Sequence, residues 1–186
     1  MHRPPIRHVI LDRDGVLNEE APARGYIRDA GEFHWLPHAL AGLAILRGAG
    51  LYLSVVTNQS GVGRGLMSLG QLEAVHARMQ SEAAAHGGAL DAVLFCPHAP
   101  QENCACRKPA PGLIHAAIAG SHKPAAATLL VGDDTRDLEA ARQAGVAAVL
   151  VRTGKGRQTE ALSCNAGVPA YDDLAQLAQA IVSGRV

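Results

Sequence analysis

Aromatic side chains are scarce in this chain, only 3% of its 186 residues, so aliphatics and alanine must build whatever core it has. An excess of charge of either sign is also lacking: 17 basic side chains face 17 acidic ones. No global field therefore draws nucleic acid or an anionic membrane, and neither is expected as a partner. A small, locally charged ligand is the better match. Long hydrophobic runs are missing as well. None approaches a membrane span, and Met1 to Arg7 has prolines and arginines but no apolar signal-peptide region. A cytoplasmic protein is the expectation. Cysteine is limited to four residues, and three of them, Cys96, Cys104 and Cys106, fall within eleven positions that also hold His98. That clustering reads as metal binding and excludes a disulfide scaffold. Cys164 stands apart as an ordinary free thiol.

Short apolar runs alternate with longer amphipathic ones. Val9–Leu11, Leu51–Val56, Ala92–Phe95, Ala127–Val131 and Ala147–Val151 are strand candidates, each apolar enough to be buried on both faces. Leu69, Leu72, Val75 and Met79 recur at helical spacing after Ser68, a suitable N-cap. Leu174, Leu177, Ala178 and Ile181 do so after Asp172-Asp173, and Leu40, Leu43 and Ala44 form a shorter stripe ending near Gly48–Gly50. The alternation predicts an α/β fold, a Rossmann-like doubly wound parallel sheet with right-handed crossovers. With no repeat, low-complexity tract or long linker, residues 1–186 are expected to form one domain.

Ligands of such sheets sit outside the carboxyl ends of the strands, and chemically loaded residues recur there. Asp12-Arg13-Asp14-Gly15 follows the first strand. Its two carboxylates suit phosphoryl transfer: Asp12 as a nucleophile that also touches Mg²⁺, Asp14 as general acid and then general base. The Asp14 backbone carbonyl is a further candidate metal ligand. Thr57-Asn58-Gln59-Ser60 closes the second strand, offering a hydroxyl, amides and backbone N–H groups to a phosphoryl oxygen without adding charge. Arg64, in the following glycine-rich loop, either reaches a distal group of the substrate or lies on the surface.

Cys96, His98, Cys104 and Cys106 supply three thiolates and an imidazole, a set suited to tetrahedral Zn²⁺. All four positions are protein ligands, so the site should be closed and structural, stiffening the loop that carries Arg107 and Lys108. Lys108 is a point charge for phosphoryl oxygens, and Arg107 can hold a second anionic group. Pro109 and Pro111 then open the next helix. After the fourth strand, Asp133 should complete the Mg²⁺ shell. Asp137, one helical turn on, could orient Lys108 or a metal-bound water, and Asp134 reads as an outer metal partner or as a helix N-cap.

Asp12-Arg13-Asp14-Gly15, Thr57-Asn58, Lys108 and Gly132-Asp133-Asp134, in that order, resemble the four motifs of the haloacid dehalogenase (HAD) superfamily of phosphohydrolases. More narrowly, Asp12–Asn18, Thr57–Gly65, Cys96–His98, Cys104–Gly112, Gly132–Asp137 and Val151–Lys155 are similar to its heptose-bisphosphate phosphatase branch. The resemblance implies a minimal cap, Mg²⁺ held by Asp12, the Asp14 carbonyl and Asp133, and substrate contacts from Arg107 and Lys108. It also implies removal of the C7 phosphate of a heptose 1,7-bisphosphate, a phosphorylated-sugar step of lipopolysaccharide synthesis. The short segment between the zinc ligand pairs is shared with histidinol-phosphate phosphatases, and the acidic residue after Asp133 replaces a lysine of some heptose enzymes. Histidinol phosphate is thus the alternative substrate, and a zinc-stabilised module without catalysis the alternative of another class. No assembly stripe is visible, and a monomer is expected.

Overall fold

Continuous apolar runs can satisfy their backbone only in a sheet covered on both faces, and that is how they fold. The computed structural model describes residues 5–21, 25–165 and 167–186. In chain order the elements are β1 (His8–Leu11), α1 (Ala39–Gly48), β2 (Tyr52–Asn58), α2 (Leu69–Ala85), β3 (Ala92–Cys96), α3 (Gly112–Ser121), β4 (Thr128–Gly132), α4 (Thr135–Gln143), β5 (Ala147–Val151), α5 (Gly156–Glu160), β6 (Ala170–Tyr171) and α6 (Leu174–Val182). The strands pair in parallel in the order β3-β2-β1-β4-β5-β6. Leu11 stands opposite Val55 on one side and Val131 on the other, and β2 runs three residues further, to Asn58.

Alternation of side chains along each strand splits the core in two. Val9, Leu11, Leu129 and Val131 face one way, against Leu43 and Leu46 of α1, Met79 of α2 and Leu177 of α6. Ile10, Val56 and Leu130 face the other way, against Ile114 and Ala117 of α3 and Ala140 and Ala141 of α4. Each fully buried Leu, Ile or Val contributes about 1.5–3 kcal/mol, so an aliphatic core of this extent holds without aromatic bulk.

Helix starts follow local chemistry. Ser68 and Gln71 form a reciprocal capping box on α2, and the Asp173 side chain caps α6. Three details differ from the sequence pattern. Leu72, Val75 and Met79 are buried, but Leu69 in the first turn is 46% exposed, so α2 is covered only from its second turn. The buried stripe of α1 is Ala39, Gly42, Leu43 and Leu46, with Leu40 and Ala44 only half-buried. And β3 is half-buried along most of its length, because it is the edge strand.

The chain runs outward from β1 to β2 and β3, then returns to β4 on the opposite side of β1. That reversal opens a crevice beyond the carboxyl ends of β1 and β4. Two connections rise around it. After β1, Asp14 bridges to Asn18 and Asn18 to Trp35, and the described residues hold one 3₁₀ turn, Ala30–Glu32, before α1. After β3 comes the Cys/His loop. No described helix is long and apolar enough to cross a membrane.

Candidate active site

The crevice is a cleft of about 300 Å³ whose walls include Asp12, Asp14, Thr57, Arg107, Lys108 and Asp133. At its floor the Lys108 ammonium, 3% exposed, lies 2.9 Å from Asp12 Oδ1 and 2.5 Å from Asp137 Oδ1. It also donates to the Val56 carbonyl, 3.0 Å away. Burial alone would make that charge hard to keep, but Asp12 and Asp137 outweigh it and hold Lys108 well above the ordinary lysine value. Asn58 fixes the stem of the same residue: its Nδ2 donates to the Lys108 carbonyl and its Oδ1 accepts from the Lys108 N–H, each at 3.0 Å. Asn58, expected to touch substrate, is thus bound to the Lys108 backbone.

Asp14 is held from several directions. The Arg13 fork donates through Nη2 at 2.9 and 3.0 Å and through Nε at 3.3 Å. Asn18 Nδ2 donates at 3.0 Å and Gln59 Nε2 at 2.8 Å. Burial would raise this carboxyl, yet the Arg13 charge and these hydrogen bonds prevail and keep it below the usual range. The resting group is therefore ionised, the form that serves as a base. Gln59 Nε2 also donates to Thr57 Oγ1 at 2.8 Å, and Ser60 Oγ pairs with Tyr26 Oη at 3.1 Å.

Asp133 is hemmed in by backbone. A Cβ on Gly15 or on Gly154 would fall 2.0 or 2.1 Å from its Oδ2, and both glycines have positive φ, +86° and +53°. The Lys155 N–H donates to that oxygen at 2.8 Å. Burial, then the charge of Asp12, pushes Asp133 up to about 8, while burial and the charge of Asp137 push Asp12 up to about 7.

Oxygens of Asp12, Asp133 and Asp137 all lie within 4.8 Å of one another. Since Asp137 is committed to Lys108, Asp12 and Asp133 are the pair a hard divalent cation would ionise. Magnesium fits this donor set. The thiol cluster fits zinc. The Cys96, Cys104 and Cys106 sulfurs are 3.2–3.5 Å apart, and His98 Nδ1 is 3.5 and 3.2 Å from those of Cys96 and Cys106. Those spacings are close to the roughly 3.8 Å edge of a tetrahedron of sulfurs around zinc.

Of the remaining expected residues, Arg107 lines the cleft, pairs with no carboxylate among the described residues, and donates a long 3.5 Å bond to the His98 carbonyl. Arg64 is exposed and is not among the cleft residues. Asp134 caps α4 and pairs with Arg136, whose hydrogen bonds outweigh burial and draw the carboxyl down to about 2. Sequence reasoning missed Arg13, Tyr26, Glu20, Arg136 and Lys155 as parts of this cleft. Only Arg13, charged yet placed between two carboxylates, carried a local signal.

A HAD-hydrolase-like family model matches residues 105–177. A D-glycero-beta-D-manno-heptose-1,7-bisphosphate 7-phosphatase of Pseudomonas putida is 41% identical, covering 95% of this chain and all of that one. A D-glycero-alpha-D-manno-heptose-1,7-bisphosphate 7-phosphatase of Mycobacterium tuberculosis is also 41% identical, over 75% of this chain and 74% of its own. Among solved structures, the D,D-heptose 1,7-bisphosphate phosphatase of Bordetella bronchiseptica, complexed with magnesium and phosphate, superposes with a TM-score of 0.90. It is 39% identical and covers 96% of this chain and 99% of that one.

Proposed function

The chain belongs to the HAD-like hydrolases, in the family of heptose-1,7-bisphosphate 7-phosphatases, and from that premise we propose that it removes the C7 phosphate of D-glycero-D-manno-heptose 1,7-bisphosphate. The Pseudomonas putida relative, which covers 95% of this chain, bears the β-anomer's name, and the β anomer is the one we assign. The observation that carries the chemistry is the Lys108 ammonium set between Asp12 and Asp137 at the point where strand order reverses.

Each residue then has a task. An Asp12 carboxylate oxygen attacks phosphorus, the bond to the C7 oxygen breaks, and the leaving oxygen takes a proton from Asp14, which the resting carboxylate picks up from solvent as the phosphate dianion binds beside it. Asp14, ionised again, removes a proton from the water that hydrolyses the aspartyl-phosphate, and inorganic phosphate leaves. Lys108 neutralises charge on the phosphoryl oxygens, and Asp137 keeps its ammonium in place. Thr57 and the backbone beside it receive another phosphoryl oxygen. Magnesium, held by Asp12, Asp133 and the Asp14 carbonyl, supplies the positive charge that lets one anion approach another. Arg107, which pairs with no carboxylate among the described residues, is placed for the phosphate that is not cleaved, and Ser60 and Gln59 line the same cleft. The zinc loop holds Arg107 and Lys108 in register. We take the working unit to be a cytoplasmic monomer acting on this small sugar phosphate.

The test is phosphate release from the α and β bisphosphates and from histidinol phosphate, measured side by side. The β bisphosphate should have the highest kcat/KM; faster turnover of histidinol phosphate would overturn the assignment.

A further inference from the structure

Arg13 is permanently charged, yet only 1% of its side chain is exposed. Its Nη2 and Nε are taken by Asp14, and the remaining Nη1 lies 3.1 Å from Nε2 of His76 on α2. His76 is itself 5% exposed, with its ring 5.6 Å from that of Phe95 on β3. A guanidinium can only donate, so Nε2 must be the acceptor, which requires a neutral ring with its proton on Nδ1. Burial, reinforced by the Arg13 charge, lowers His76 to about 4 and preserves that form at neutral pH. Arg13 is thus gripped at both ends of its fork, by a group from α2 and by the residue beside it.

We propose that His76 is a positioning residue for ester cleavage: by accepting from Arg13 Nη1 it fixes the plane of the guanidinium, and through the fork it aims the Asp14 carboxyl. The proposal rests on the acid role assigned to Asp14 above. Asn18 and Gln59 hold the same carboxyl from other sides, so removing His76 should turn it without releasing it. A misaimed acid slows esters whose leaving oxygen needs a proton and spares those whose leaving group departs as a stable anion. A histidine that merely fills space would make no such distinction.

The experiment compares H76L with wild type on heptose bisphosphate, an alkyl phosphate, and on p-nitrophenyl phosphate. Leaving-group release is read in the first turnover, which separates ester cleavage from hydrolysis of the aspartyl-phosphate. The expected loss is about 10–100-fold on the sugar and less than about threefold on the aryl ester, with KM for the sugar within about twofold. H76Q, whose amide oxygen can accept from Nη1, should recover most of the rate. Equal loss on both esters, or no loss in folded H76L, would overturn the proposal. If H76L does not fold, R13K decides: it keeps the charge, loses the fork, and must show the same selectivity or the proposal fails. A wild-type enzyme that cleaves p-nitrophenyl phosphate and histidinol phosphate but not the bisphosphate would sink the substrate assignment alone. Histidinol phosphate then serves as the alkyl ester in the same comparison.

Discussion

Asn58 and Lys108 are joined by two hydrogen bonds between one side-chain amide and the backbone of one residue, Nδ2 donating to the carbonyl and the N–H donating to Oδ1, each 3.0 Å long. The end of β2 thereby fixes the backbone of the zinc loop where its lysine turns inward.

Asn58→Ala breaks both bonds and leaves the Lys108 N–H and carbonyl to find other partners. A shift of about 1 Å in the lysine can lower turnover by as much as about 100-fold, and stability should fall by about 1–3 kcal/mol. Phosphate release and urea unfolding check the two effects. Unchanged turnover in the folded variant would show that Lys108 needs no such clamp.

Lys108→Met removes the cation between two buried carboxylates. Breaking a buried pair on one side typically costs about 3–5 kcal/mol, and here Asp12 and Asp137 both lose their partner. Activity should disappear and the unfolding midpoint should drop. A variant as stable as wild type would mean that the carboxylates find another counter-ion.

Two buried histidines make the fold acid-sensitive. Burial lowers His8 and His76 each to about 4, whereas in the unfolded chain they titrate near about 6.5. Between those values the unfolded chain binds more protons. The stability they contribute is therefore fully present above about pH 6.5 and is lost as pH falls toward 4, by up to about 2 kcal/mol per histidine at pH 5. Urea unfolding at pH 7.5 and 5, with magnesium saturating so that Asp12 and Asp133 stay ionised, measures it. H8Q should flatten the dependence by roughly half; an unchanged slope would exclude His8 as a source.

The two metals should separate by function. One zinc per chain is expected by atomic emission, and its removal should lower Tm and raise amide exchange across residues 96–108. Withdrawing magnesium alone should stop turnover reversibly with little change in Tm. Loss of zinc without change in Tm or exchange would contradict a structural role.

Five of the six strands were legible because a strand buried on both faces needs an unbroken apolar run, and Ala147–Val151 matches β5 to the residue. β6, only Ala170–Tyr171, is too short to leave a pattern. The cleft's carboxylates and Lys108 were legible through their place after apolar runs. What lies beside them was not. Burial of Arg13 depends on α2 bringing His76 across 63 positions of sequence, and the joining of Glu20 to Lys155 on two loops that meet only in the fold. Asp14 shows the same limit in its charge state: its position was readable, but its ionised state is set by partners from Arg13, Asn18 and Gln59 together.

Gly15 and Gly154 press on a single oxygen of Asp133 from two distant parts of the chain. Enlarging either residue displaces the same carboxylate, so the two positions form one locus for mutation although they lie near opposite ends of the chain. Shortening the aspartate's neighbours is already impossible, since glycine has no side chain to give up. Adaptation to a new substrate must therefore proceed through the loops around the cleft, leaving this corner as a fixed point about which the rest can drift.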